Sequence, residues 1–158
     1  MRLFFDTEFT SLMDKQPELI SIGIVDERDE HAFYAELEHD KSKSSHFVEE
    51  TVYLLLQGIA KPRAAVCANL LAWLNRIRNA EDCIFCCDYI MDERLLRWLL
   101  GDQKPTWITV MDISGLICPS FIFSGEPDHP HRHHALQDAK DFRISFLRVS
   151  QLDNNLEP

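Results

Sequence analysis

The chain has 158 residues, is 46% apolar and carries a formal net charge of -10, which suits one compact domain with a single core. Such a charge argues against tight, salt-resistant binding to long duplex nucleic acid. No apolar stretch reaches the roughly 20 residues of a membrane span, and Met1-Arg2-Leu3 runs straight into an apolar segment with no secretory leader, so no membrane contact and a cytoplasmic location are expected. The charge is uneven. Residues 1–60 hold 5 Lys/Arg against 13 Asp/Glu, a net of -8, and residues 61–158 hold 11 against 13, a net of -2. Cations such as Arg63, Arg94, Arg97, Arg132 and Lys140 thus concentrate in the second part, which is compatible with transient handling of a strand end.

The first expected strand covers residues 2–8. Leu19-Ile20-Ser21-Ile22-Gly23-Ile24-Val25 is a β-branched run and a second strand. The acidic turn 26–30 then leads into a third strand, His31 to Leu37, antiparallel to the second. After a polar loop, Ser45 is the N-cap of a short helix with Phe47, Val48, Val52 and Leu55 inward, ending near Gly58. Val66, Leu70, Leu71, Leu74 and Ile77 recur at helical spacing over 63–78. Ile84 to Cys87 is a fourth strand, Asp92 to Leu100 a helix stopped by Gly101, and Trp107 to Met111 a fifth strand. Residues 114–132 are rich in Pro, Gly and His and are expected to be irregular. A last helix runs from about His134 to Val149 with Leu136, Ala139, Phe142, Phe146 and Val149 as its core stripe, before a frayed tail. The order predicts an α/β domain: a mixed five-stranded sheet, its first three strands antiparallel, with helices on both faces.

Five cysteines, Cys67, Cys83, Cys86, Cys87 and Cys118, sit mostly in apolar runs, as reduced core thiols do. Cys83 and Cys86 form a C-x-x-C, but three positions apart on a strand they face opposite sides. Trp73, Trp98 and Trp107 are candidates for core or for interface anchors.

The chemistry starts at the end of the first strand, in Phe4-Phe5-Asp6-Thr7-Glu8-Phe9. Alternation places Asp6 and Glu8 on one face. Two carboxylates side by side among apolar neighbours repel and are desolvated unless a cation sits between them. Magnesium and manganese suit all-oxygen ligands, so these residues point to a metal-dependent enzyme acting on phosphates.

Together with an acid near the start of a central helix and H-x-x-x-x-D at the C-terminal helix, Asp6-Thr7-Glu8 resembles the DEDDh exonucleases of the ribonuclease H-like superfamily. The resemblance covers nearly the whole chain, with residues 1–152 as one exonuclease domain and 153–158 as a tail. It is most similar to short bacterial or phage 3′–5′ exoribonucleases. Asp6 to Leu12 resembles D-T-E-T-T-G-L, with Phe9 replacing a threonine and Ser11 the glycine. The resemblance implies that the Phe9 backbone meets the terminal sugar and that Leu12 wedges against the terminal bases; the alternative for Leu12 is ordinary core. The Phe9 ring adds a stacking platform for unpaired bases.

Cys87-Asp88-Tyr89-Ile90-Met91-Asp92-Glu93-Arg94-Leu95-Leu96 resembles H-N-x-x-F-D-x-x-F-L. That register makes Asp92 the catalytic aspartate, with Asp88 as the competing choice, either aiding the metal shell or binding backbone at the helix entry. His129, His131, His133 and His134 crowd together, and H-x-A-L-x-D-A sets the register at His133 and Asp138. Five residues on one helix are about 140° apart, so His133 belongs in the loop just before the helix.

The resemblance implies two Mg2+ or Mn2+ ions held by Asp6, Glu8, Asp92 and Asp138, with His133 as general base. It also implies 3′–5′ removal of nucleoside 5′-monophosphates from single-stranded RNA or DNA ends, RNA ahead of DNA, and, as in many relatives, a homodimer. Four other readings stay open: a DNA proofreading or repair exonuclease, a dinucleotide-clearing oligoribonuclease, a non-catalytic adaptor on the same fold, and a zinc hydrolase built on the His-rich loop.

Overall fold

Period-two alternation governs how this chain becomes a sheet. In a computed structural model, which describes residues 1–117 and 132–154, β1 (Arg2–Phe9), β2 (Leu19–Asp26) and β3 (Ala32–Glu36) form an antiparallel meander. β4 (Cys83–Cys87) and β5 (Ile108–Asp112) add on the other side in parallel, giving the order β3-β2-β1-β4-β5. The mixed five-stranded sheet is thus the one the sequence predicts.

Alternate residues feed two cores. On one face Leu3, Phe5, Ile22, Ile24, Cys83 and Phe85 meet α2 (Arg63–Ile77) and α3 (Ile90–Leu100). On the other, Phe4, Val25 and Cys86 meet Ala139, Phe142 and Phe146 of α4 (Ala135–Asn154). Cys83 and Cys86 therefore lie on opposite sides of the sheet, and both are buried and free, as are Cys67 and Cys87. Complete burial of a Phe or Leu side chain contributes about 1.5–3 kcal/mol, and Phe4, Phe5 and Phe85 are all fully buried. Gly101 ends α3 at φ 51°, a conformation that suits a residue without a Cβ.

Some boundaries differ from expectation. α4 continues past Val149 to Asn154, so the expected tail at 153–158 falls partly on its last residues and partly outside those described. Cys118, His129, His131 and most of the irregular stretch also lie outside them. The short helix after Ser45 contains a π-helical turn (Val48–Val52) and one α-helical turn, α1 (Tyr53–Leu55), and stops short of Gly58. Ser45 does cap it, its Oγ accepting from the Val48 N–H at 3.3 Å. Val48 and Val52 seat this helix on Ile20. Phe47, expected inward, is instead 52% exposed. The helix rests on the sheet's rim, so core lies under only part of its apolar arc. Trp73 is core and Trp98 is surface at 44% exposure.

Two features of the sheet open a site. β1 pairs with β4 only from Arg2↔Ile84 to Phe4↔Cys86, so the C-terminal half of β1 has β2 alone beside it. The cross-strand partners of the two acids on that face are also small: Asp6 opposes Gly23 and Glu8 opposes Ser21. Ligand crevices in open α/β sheets form where neighbouring strands part in this way, at their carboxyl ends.

Candidate active site

Asp6 and Glu8 project from β1 toward the side covered by α4. Gly23 lets that helix come close: a Cβ there would stand 2.1 Å from the Leu136 amide nitrogen and 2.4 Å from the Ala135 carbonyl carbon. A glycine inside a strand commonly marks such an approach. The backbone contact brings the first turn of α4, with Asp138, over Glu8.

His133 stands in the turn before α4, as its five-residue spacing from Asp138 requires. Its backbone is in the left-handed region at φ 72°, and its N–H donates to Asp138 Oδ2 at 2.9 Å. This hydrogen bond holds the turn against its conformational cost. His134 takes the helix entry, buried and stacked on Tyr34 with ring centroids 4.6 Å apart.

From the other face, α3 contributes Asp92, only 2% exposed. Thr7, pointing opposite to Asp6 and Glu8, donates its hydroxyl to Asp92 Oδ1 at 2.5 Å. A charge-assisted bond of this kind fixes a buried carboxylate firmly.

The acids form two joined sets. One ligand atom from each of Asp6, Asp88 and Asp92 lies within 4.8 Å of the others, and the same holds for Glu8, His133 and Asp138. Every predicted acid and the predicted base are therefore brought together. Asp88 stands beside Asp92 in the site, so the sequence's choice between them is not exclusive.

The electrostatics are those of carboxylates crowded away from water. Burial first, then the charges of Asp92, Glu8, Asp138 and Asp88, hold Asp6 well above its usual range. Burial, then Asp138 and Asp92, push Glu8 up to about 8. Burial raises Asp92 and Asp138 to about 7 against the lowering pull of their hydrogen bonds from Thr7 and His133. Asp88 is raised by burial as well. His133 moves down through burial and the Arg132 charge, which favours its neutral form.

Asp138 Oδ1 is buried without a hydrogen-bond partner, a position that ordinarily carries a cost of about 1–3 kcal/mol. An orphaned carboxylate oxygen, in a cluster that cannot ionise fully at neutral pH, fits a divalent cation. The mostly oxygen donor set suits Mg2+ or Mn2+.

Above the acids lies a cavity of about 500 Å3, lined by Phe9, Leu12, Met13, Phe47, Val48 and His133 among others. Leu12 is 71% exposed, which rules out the core alternative. Phe47 meets the His133 ring edge-on, with centroids 4.9 Å apart. Met13, Phe47, Thr7 and Gly23 are site residues that sequence reasoning misses. Only Gly23, a glycine within a β-branched run, carries a signal for its role.

Sheet order, two-sided helical cover and an acidic centre where β1 leaves β4 define a ribonuclease H-like fold. Two solved structures share it over almost the whole chain. Pop2p of S. pombe, in its Mg2+- and Mn2+-bound form, is similar at a TM-score of 0.66 and 12% identity, covering 99% of this chain and 86% of that one. E. coli ExoI in complex with single-stranded DNA, in a zinc-bound form, is similar at 0.64 and 8% identity, covering 98% and 41%. At these identities the likeness is one of fold. No protein-family model and no curated protein sequence matches the chain.

Proposed function

We propose that this protein is a metal-dependent 3′–5′ exonuclease of the DEDDh type, acting on single-stranded nucleic acid, RNA ahead of DNA, and most like the short bacterial or phage exoribonucleases. The observation that carries it is the convergence of Asp6, Glu8, Asp92, Asp138 and His133, from β1, α3 and the start of α4, beneath one apolar cavity. The fold's likeness to a Mg2+- and Mn2+-bound protein and to one holding single-stranded DNA adds support.

Asp6, Glu8, Asp92 and Asp138 would hold two Mg2+ or Mn2+ ions, with Asp88 as a further oxygen donor beside Asp6. Ions bound there supply positive charge against the scissile phosphate and the leaving oxygen and make water a stronger nucleophile. The chain's own residues do the rest. Asp138 fixes the His133 turn through its backbone N–H, and the neutral imidazole accepts the proton of the attacking water. Thr7 holds Asp92 in one rotamer. Phe9, Leu12, Met13 and Phe47 provide an apolar wall for the terminal nucleoside, in keeping with base stacking that ignores sequence. In-line attack forms the new P–O bond and breaks the bond to the 3′ oxygen of the penultimate nucleotide, releasing a nucleoside 5′-monophosphate.

The deciding experiment incubates RNA and DNA oligomers of one sequence, labelled at the 5′ end, with Mg2+ or Mn2+. A ladder shortening from the 3′ end, faster on RNA, is the expected result. A ladder that skips more than one nucleotide per step, immediate appearance of the labelled 5′-terminal nucleotide alone, or no cleavage with either ion, would overturn the proposal. A zinc hydrolase is a second reading, favoured by the imidazole beside two carboxylates in Glu8–His133–Asp138. Activity that Zn2+ alone restores after chelation would select it.

A further inference from the structure

Beside the site lies a second cavity of about 560 Å3, lined by loop residues Lys15 to Leu19, by Glu38 and Lys43, and by Met91, Arg94, Leu95 and Trp98 of α3. No residue lines both this cavity and the catalytic one, but the same segments supply them. The loop that gives Leu12 and Met13 to the site gives Lys15 and Gln16 here, and the helix that gives Asp92 to the site turns Met91 and Arg94 this way. The loop is clamped at its base by Thr10, whose N–H donates to the Glu18 carbonyl at 3.0 Å and whose hydroxyl accepts from the Glu18 N–H at 3.0 Å.

Chemically this groove is unlike the rest of the molecule. The chain is strongly acidic, and residues 1–60 hold only five cations, yet two of them, Lys15 and Lys43, face this groove together with Arg94. Lys43 is paired with Glu18. Lys15 and Arg94 are exposed, and among the described residues no carboxylate forms a salt bridge with either. At the far end Trp98 is 44% exposed, and Arg63 stacks over its ring, 4.6 Å from the centroid. Arg63 is anchored by donating to the Trp98 and Leu99 carbonyls, which pins the edge of the groove. Spaced cations with an open aromatic ring are the parts by which proteins track an unpaired strand: charge for the backbone, a ring for a base.

Resting on the exonuclease reading, we propose that this groove carries the strand upstream of the terminal nucleotide, with Lys15 and Arg94 on successive phosphates and Trp98 stacked on a base. The acidic surplus of residues 1–60 then acts as a filter, disfavouring a polyanion over most of that part of the chain outside the track. An unpaired strand several nucleotides long is the substrate class that fits, and duplex does not.

The test is binding, measured by fluorescence anisotropy of a labelled single strand about eight nucleotides long in Ca2+, over a range of salt. Single-strand affinity falls with salt by a log–log slope of about 0.7 per phosphate neutralised. Lys15→Ala with Arg94→Ala should reduce the slope by about 1.4, whereas Lys15→Arg with Arg94→Lys should keep it. Trp98→Leu should weaken binding by about 5- to 150-fold, the equivalent of one lost stack of 1–3 kcal/mol, while leaving the slope alone. A dinucleotide, too short to reach the groove, should bind all variants alike. An unchanged slope in the double alanine variant would overturn the proposal, and so would an acidic peptide binding as well as the oligomer. Because binding is read without turnover, a protein that holds the strand by this groove but never cleaves it in Mg2+ would count against the exonuclease reading alone.

Discussion

Gly23→Ala adds one methyl group to the protein and should disable it. In an ordinary strand the change stabilises by about 0.4–1 kcal/mol, because the unfolded chain loses freedom. Here the new Cβ would stand 2.1 Å from the Leu136 nitrogen and 2.2 Å from its Cα. These are backbone atoms at the head of a helix, not the tip of a side chain that can swing away. Restoring ordinary contact, from 2.1 Å to 3.4 Å, requires a retreat of about 1.3 Å by α4 or β2. Overpacking typically costs about 1–3 kcal/mol, and a displacement of about 1 Å at a catalytic group costs about 100-fold in rate. The expected phenotype is a folded protein, its urea midpoint lowered, with turnover of a labelled single strand down about 100-fold and Mn2+ affinity reduced in calorimetry. Circular dichroism separates this from plain unfolding, since the activity lost should far exceed the fraction unfolded. Turnover and Mn2+ affinity within about threefold of the parent would refute the positioning role.

The carboxylates make the metal-free protein sensitive to pH. Glu8, at about 8, and Asp92 and Asp138, at about 7, are raised above their unfolded values. Their contribution to stability is therefore complete below about pH 4 and is lost as pH climbs through 7–8. With each pKa unit equivalent to about 1.4 kcal/mol, the metal-free melting temperature should fall between pH 5 and pH 8.5. Mn2+ should raise it most at the alkaline end, and a flat profile would contradict the crowding. Asp6→Asn should abolish turnover yet raise the metal-free melting temperature at pH 8, with normal rates refuting its role. His133→Ala should lower kcat by about 10²–10⁴-fold with circular dichroism unchanged. Thr7→Val, which strips Asp92 of its hydroxyl donor, should cost about 1–3 kcal/mol in urea melts and reduce turnover, whereas Thr7→Ser should restore both.

Asp6 and Glu8 are legible in the sequence because alternation along a short strand is a rigid rule. The same rule separates Cys83 from Cys86 across the sheet. His133 is legible because its spacing to Asp138 excludes a place on the same helix, and φ 72° in the turn bears this out. Phe47 is misread because helical periodicity identifies an apolar arc without saying how far the sheet extends beneath it. Val48 and Val52 find Ile20, and Phe47 overhangs the site. Thr7 looks like a spacer between two acids, since its bond to Asp92 joins residues 85 positions apart. Gly23 announces a close approach but not by what. The end of α4 is missed because residues 150–154 lack an apolar stripe that could continue the pattern.

The pairing of Glu8 with Asp138 has a consequence for how the molecule comes into being. A ribosome releases chain in order, so the opening strand is exposed long before the closing helix exists. Until then the early acids have no counterpart from α4, and the His133 turn lacks the Asp138 carboxylate that braces it. The acidic cluster is therefore assembled late, in the step in which α4 docks over β1 and β2.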